Sequence, residues 1–143
     1  MKKLFLITIF LSFSLNSNGQ TPEEYTKRFF MDFTSNSDKA IDDVYKTNPN
    51  TKDMTDAINN MKEVANNYPN SIGKYYGYEL ITQEKLTNNF VLLTYLTRFE
   101  RQPMRFTFIF YKPNDKWYLF SLNFSANLDQ ELEEAAKIIQ TKN

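Results

Sequence analysis

The sequence predicts an α+β fold, with N-terminal helices packed on a four-stranded antiparallel meander and a C-terminal helix after it. Apolar residues recur at spacings of three and four from Thr21 to Tyr68, then alternate or run β-branched and aromatic from Tyr75 to Ser125. Three polar breaks divide that second stretch into strands: TNN at 87–89, ERQP at 100–103 and KPND at 112–115. From Asn127 the helical spacing returns.

A leader precedes these elements. MKK is followed by an apolar run from Leu4 to Leu15 and a short polar segment holding Ser17 and Gly19, the pattern of a secretory signal peptide. A bilayer core of about 30 Å needs about 20 apolar residues, more than this run supplies. Residues 1–19 are expected to be cleaved, which leaves residues 20–143 as one domain, periplasmic or extracellular, with no membrane attachment. The chain has no cysteine, so neither a disulfide nor a lipid-accepting cysteine is available to it.

TPEE opens the first helix, with Thr21 as cap, Pro22 at the first helical position and Glu24 completing a capping box. Tyr25, Phe29 and Phe33 form its stripe. A second helix, capped by Ser37, carries Ile41, Val44 and Tyr45 and ends at Asn48 and Pro49. A third runs from Thr51 with Met54, Ala57, Ile58, Met61, Ala65 and Tyr68 on one face, and Pro69 is expected to stop it. The last, from Asn127 to Lys142, lines up Leu128, Leu132, Ala135 and Ile139.

Strand side chains alternate between faces, so turn lengths decide which residues meet. A two-residue turn at Arg101 and Gln102 sets Phe99 opposite Met104, Thr97 opposite Phe106, Tyr95 opposite Phe108 and Leu93 opposite Phe110. A loop of Pro113, Asn114 and Asp115 matches Phe110 with Tyr118, Phe108 with Phe120, Phe106 with Leu122 and Met104 with Phe124. The alternative turn at Asn114 and Asp115 mixes apolar with polar residues and forgoes the roughly 25 cal/mol per Å² that apolar burial returns. A turn at Asn88 and Asn89 then adds Leu86, Glu84, Thr82, Leu80 and Tyr78 to the helix-facing side. Glu79, Ile81, Gln83, Leu92, Leu96, Arg98, Arg105, Thr107, Ile109, Trp117, Leu119, Ser121 and Asn123 fall on the other face, with Glu79 opposite Arg98.

Helices followed by a meander that ends in FIFYKPNDKWYLFSLNF resemble the small secreted members of the nuclear-transport-factor-like superfamily, whose fold is similar to cystatin. The resemblance covers about Thr21 to Ser125 and implies a cone, a bent sheet wrapped over a helix with a pocket at its open end. It spans isomerases, dehydratases, cyclases and carrier modules, so it does not choose a function. The usual glycine of the bending strands is missing and the C-terminal helix is an addition, and either can narrow the pocket.

Several kinds of chemistry are closed off. With no histidine and no cysteine, Ser-His-Asp and Cys-His systems and the commonest zinc ligands are absent. Asp38, Asp42 and Asp43 sit on a short helix without calcium-loop spacing, so no metal or other cofactor is expected. Loss of Lys2 and Lys3 from 17 basic residues, against 17 acidic ones, makes the mature net charge about −2, with no basic block to bind nucleic acid.

Two kinds of site remain. Tyr78, Tyr95, Thr97 and Tyr118 are expected around a pocket for a small apolar molecule. Glu84 on the same face is the one candidate base for an isomerase- or dehydratase-like alternative, since burial raises a carboxyl's pKa. Arg98, Arg105, Ile109, Trp117 and Leu119 on the outer face form a candidate surface for a protein partner, a homodimer or a structural assembly. The leading expectation is a secreted, non-catalytic binding domain.

Overall fold

The computed structural model describes residues 19–129 and 132–133. Three helices come first, α1 (Pro22–Phe33), α2 (Ser37–Tyr45) and α3 (Thr55–Ile72), with a short 3-10 turn at Thr51–Met54 leading into α3. Strands β1 (Tyr75–Thr87), β2 (Phe90–Phe99), β3 (Pro103–Tyr111) and β4 (Tyr118–Ser125) follow as one antiparallel sheet in the order β1-β2-β3-β4. The fold is therefore α+β. Residues 1–18 of the expected leader lie outside the described residues, as does most of the expected C-terminal helix; of that helix a first turn is seen, with the Leu132 N–H donating to the Leu128 carbonyl at 3.1 Å.

The capping box of α1 forms as its sequence requires. The Thr21 N–H donates to Glu24 Oε2 at 2.9 Å, and the Glu24 N–H donates back to Thr21 Oγ1 at 3.3 Å. For α2 the cap is Asn36 and not Ser37: Asn36 Oδ1 accepts from the Lys39 N–H at 2.9 Å, and Ser37 becomes the first helical residue. Helix α3 passes through Pro69. The proline is near the end of the helix, where its missing N–H forfeits one bond, and the final turn carries Ile72 into the core. Gly73, at φ 81°, is the stop, taking the left-handed conformation that other residues avoid.

Across β2 and β3 the pairs are Thr97 with Met104, Tyr95 with Phe106, Leu93 with Phe108 and Val91 with Phe110. The loop is two residues longer than the Arg101–Gln102 turn, because Arg98 already pairs with Pro103 and the chain turns over Phe99 to Gln102. A shift of two preserves side-chain parity, so the expected face survives the register error.

The other two hairpins contain bulges: Tyr78, Leu122 and Phe124 keep the expected helix-facing side, and parity is lost beyond the bulges. In β4 Phe120 is the extra residue between the Ile109–Ser121 and Phe110–Leu119 pairs. Leu119 therefore turns inward, fully buried, while Phe120 is 54% exposed, the reverse of the expected arrangement. In β1 the pairing shifts three times, skipping Tyr76, Ile81 and Leu86. Glu84 then pairs with Leu92 on the outer face, and Gln83 takes the helix-facing place opposite Leu93. Gly77, at φ 128°, absorbs the first of these shifts, so a bending strand does carry a glycine.

Helix α1 lies over the centre of the sheet. Phe29 meets Phe106 and Phe108 at ring distances of 5.8 and 5.1 Å, Phe33 meets Phe106 at 5.1 Å, and Tyr25 stacks on Phe110 at 5.9 Å. Phe106, Phe108 and Phe110 are fully buried. Ion pairs tie the helices together outside: Lys39 bridges Asp32 of α1 and Asp43 of α2, and Lys62 of α3 reaches Asp42.

Candidate functional site

The inner face is packed where a pocket was expected. The Tyr95 hydroxyl lies 2.8 Å from Thr26 Oγ1; because that hydroxyl already donates to the Glu23 carbonyl at 3.0 Å, Tyr95 is the donor between them. Burial pushes the Tyr95 pKa up, and Thr26, whose hydroxyl can turn to donate to the phenolate once Tyr95 has lost its proton, offsets part of the rise. Tyr78 stacks on Phe30 with ring centroids 4.2 Å apart, and fully buried Thr97 donates to the Met104 carbonyl at 3.0 Å. Three of the four expected pocket residues are thus together as core, each packed or bonded against neighbours. Tyr118 is apart from them. It pairs with Tyr111 and lines a second, apolar groove of about 510 Å³ with Met54, Pro113 and Phe120.

Glu84 is exposed, and its Oε1 accepts from the Thr82 hydroxyl at 3.1 Å on the same strand. The bulges of β1 place it on the face opposite the tyrosines, so the expected carboxylate-tyrosine grouping does not assemble. Of the expected outer-face residues, Leu119 is core. Ile109, Arg105 and Trp117 are half-buried, and Arg98 pairs with Glu79 at 3.1 Å, diagonally, since the residue opposite Arg98 is Gly77. The Lys112 ammonium sits 5.1 Å from the Trp117 ring centre.

A cleft opens at the end of the sheet where β1 starts and β2 finishes. Its position follows from chain geometry: Gly73 turns the chain from α3 into β1, Tyr75 pairs with Phe99, and the turn between α1 and α2 closes the far side. The cleft measures about 490 Å³, within the range of small-molecule sites. Phe33, Tyr68, Tyr75 and Phe99 give it aromatic walls, with Tyr75 and Phe99 edge to face at 5.4 Å. Burial pushes the Tyr75 hydroxyl up to about 12, so it stays a neutral donor and acceptor at physiological pH, and no described residue bonds to it.

The rim is polar. Ser37 donates to Asn66 Oδ1, and Asn66 Nδ2 donates to Asp38 Oδ1 at 2.8 Å. The Glu100 carboxylate lies beside Gly73 and accepts from the Lys74 N–H at 3.4 Å. Sequence reasoning missed this place, although Phe33 and Tyr68 close their helices' apolar stripes and Tyr75 and Phe99 begin and end strands. Aromatics at element ends are the signal, since an end residue is only half covered by its own element.

Among the described residues no group of three His, Cys, Asp or Glu side chains could hold a metal ion, and no helix is long and apolar enough to cross a membrane. No family model matches the chain, nor does any curated protein or any solved structure.

Proposed function

We propose that the chain is a non-catalytic binding domain whose ligand is a small molecule with an apolar body, held in the cleft between Phe33, Tyr68, Tyr75 and Phe99. The observation that carries this reading is the contrast between a tightly filled inner face and an aromatic-walled cleft of about 490 Å³ left open at the sheet's end. Four aromatic walls reward an apolar guest, while Tyr75, Asn66 and Asp38 provide polar groups to orient it. The leader pattern places the domain outside the cytoplasm in this reading, and the resemblance to small secreted nuclear-transport-factor-like proteins fits a bent sheet with its opening at one end. The isomerase-like alternative has little support, because exposed Glu84 has neither burial nor a tyrosine partner.

A second reading rests on the outer face. Leu92, Leu96 and Ile109 form a half-buried apolar stripe flanked by Glu79, Glu84, Arg98 and Arg105, a surface neutral enough to meet a second copy of itself.

One experiment addresses both. The chain from Gln20 is purified natively and its intact mass is compared before and after denaturation. A small excess mass that disappears on denaturation is the expected result. A ligand-free chain of twice the monomer mass would move the reading to the outer face, and a ligand-free monomer would leave neither supported.

A further inference from the structure

We infer that Gln20 is a modification site: once the leader is removed, this residue closes on itself to an N-terminal pyroglutamyl lactam. The inference rests on the leader reading, which makes Gln20 the first residue of the exported chain, and is independent of what the cleft binds. The chemistry needs only the residue itself. The neutral α-amine nitrogen attacks Cδ, the Cδ–Nε2 bond breaks, and Nε2 leaves as ammonia with a proton given up by the amine. No oxidant, metal or second substrate enters the balance.

The structure leaves both reacting groups uncommitted. Neither the backbone nitrogen of Gln20 nor its side-chain amide makes a hydrogen bond with the described residues. The held part of the chain starts one residue later, where the Thr21 N–H donates to Glu24 Oε2 and the Thr21 carbonyl accepts from the Tyr25 N–H at 3.1 Å. Ring closure keeps the Gln20 carbonyl and the Thr21 N–H, so the capping box of α1 survives it. There is also room for the ring. Gln20 is half-buried and lines two spaces, of about 370 and 490 Å³, and Arg28 lines both. The Arg28 guanidinium, without hydrogen bond or ion pair among the described residues, is the donor that a lactam carbonyl would meet there.

Nothing at this place holds an ammonium instead. The charged side chains lining the two spaces balance, Lys27, Arg28 and Lys46 against Glu24, Asp32 and Asp43. Asp32 and Asp43 are already bridged by Lys39, and Glu23 of the first turn accepts from Gln83 Nε2. What remains is the positive end of the α1 dipole, which disfavours a cation just ahead of the helix cap. Lactam formation removes that cation.

The test is to export the full chain from a bacterial host and weigh the mature protein intact and as its N-terminal peptide, at harvest and after incubation at mildly alkaline pH. The expected product begins at residue 20, is about 17 Da lighter than its unmodified sequence, and has no reactive α-amine. The deficit should persist after denaturation and lie in the N-terminal peptide alone. Gln20→Ala, with no amide to lose, should keep its full mass and its amine. A chain that begins at Gln20 and retains its full mass after incubation would overturn the lactam and leave the leader reading standing. A chain that begins elsewhere, or keeps residues 1–19, would overturn both. The same deficit in another peptide, as ring closure at an asparagine would give, would overturn the assignment to Gln20.

Discussion

The hydrogen bond between Tyr95 and Thr26 joins β2 to α1 inside an aromatic core, and its energy is governed by what happens when half of it is lost. Tyr95 donates, because Thr26 has spent its single proton on the Glu23 carbonyl. Thr26→Val leaves the buried phenol without its partner and should cost about 1–3 kcal/mol, read from urea unfolding. Tyr95→Phe removes the donor and leaves Thr26 still bonded to the backbone, so it should cost less. The double variant should be close to Tyr95→Phe alone; a double variant with the full sum of both losses would show that the two hydroxyls do not act as a pair. Burial also raises the pKa of Tyr25, Tyr45, Tyr75 and Tyr95, that of Tyr75 to about 12. A tyrosine whose folded pKa is raised binds its proton more tightly in the native state. Stability from these four is therefore full below pH ~10 and is lost as pH rises through the interval from about 10 to the folded values. An ultraviolet titration should show some of the nine tyrosines ionising late, together with alkaline unfolding. Nine tyrosines titrating together near 10 in a still-folded chain would contradict it.

At the scale of the element, β4 shows how far patterning reaches. The stretch YLFSLNF has apolar residues at both parities, so alternation alone cannot say whether Leu119 or Phe120 faces the helices. The bulge decides it: Leu119 sits inside, with its N–H donating to Thr47 Oγ1 at 2.9 Å and its carbonyl accepting from Asn48 Nδ2 at 3.0 Å. Those two bonds tie β4 to the end of α2, and no local pattern announces a tie between residues so far apart in the chain. Leu119→Ala should cost about 2–5 kcal/mol, while Phe120→Ala should stay below 1 kcal/mol, measured by denaturant midpoints at constant m. The opposite ranking would restore the unbulged register. Strand β1 is the same case with a backbone signature. Glu84 was misplaced because three skipped residues reset its face, and of these shifts only the one at Gly77 carries a residue suited to positive φ. Gly77→Ala should destabilise by about 1–3 kcal/mol, more than a β-strand Gly→Ala at ordinary φ, because Cβ meets both a forbidden torsion and the Arg98 guanidinium 3.0 Å away.

For the whole molecule, what was legible follows from what is periodic. Helix order, strand order, and the inward face of β2 and β3 come from residues that repeat every three to four or every two positions, and a two-residue register error left that face intact. The cleft was not legible, since it is made by the ends of five elements whose meeting depends on the fold as a whole. One core joins those elements: Phe29 and Phe33 of α1, Ile41 and Val44 of α2, and Ile58 and Ala65 of α3 belong to the same buried cluster as Leu93, Phe106, Phe108 and Leu122. A helix leaving this cluster would expose the phenylalanines of the sheet, so helices and sheet should unfold as a unit, as domains below about 150 residues generally do. Helical circular dichroism and the fluorescence of Trp117, which sits at the hairpin far along the chain from the helices, should therefore lose signal at one denaturant midpoint. Phe106→Ala removes the ring that touches both Phe29 and Phe33 and should shift both signals equally, by about 3–5 kcal/mol. If the helical signal moved and Trp117 did not, the helices and the hairpin end of the sheet would be separate cooperative units, and the sheet would have to be stable without its cover.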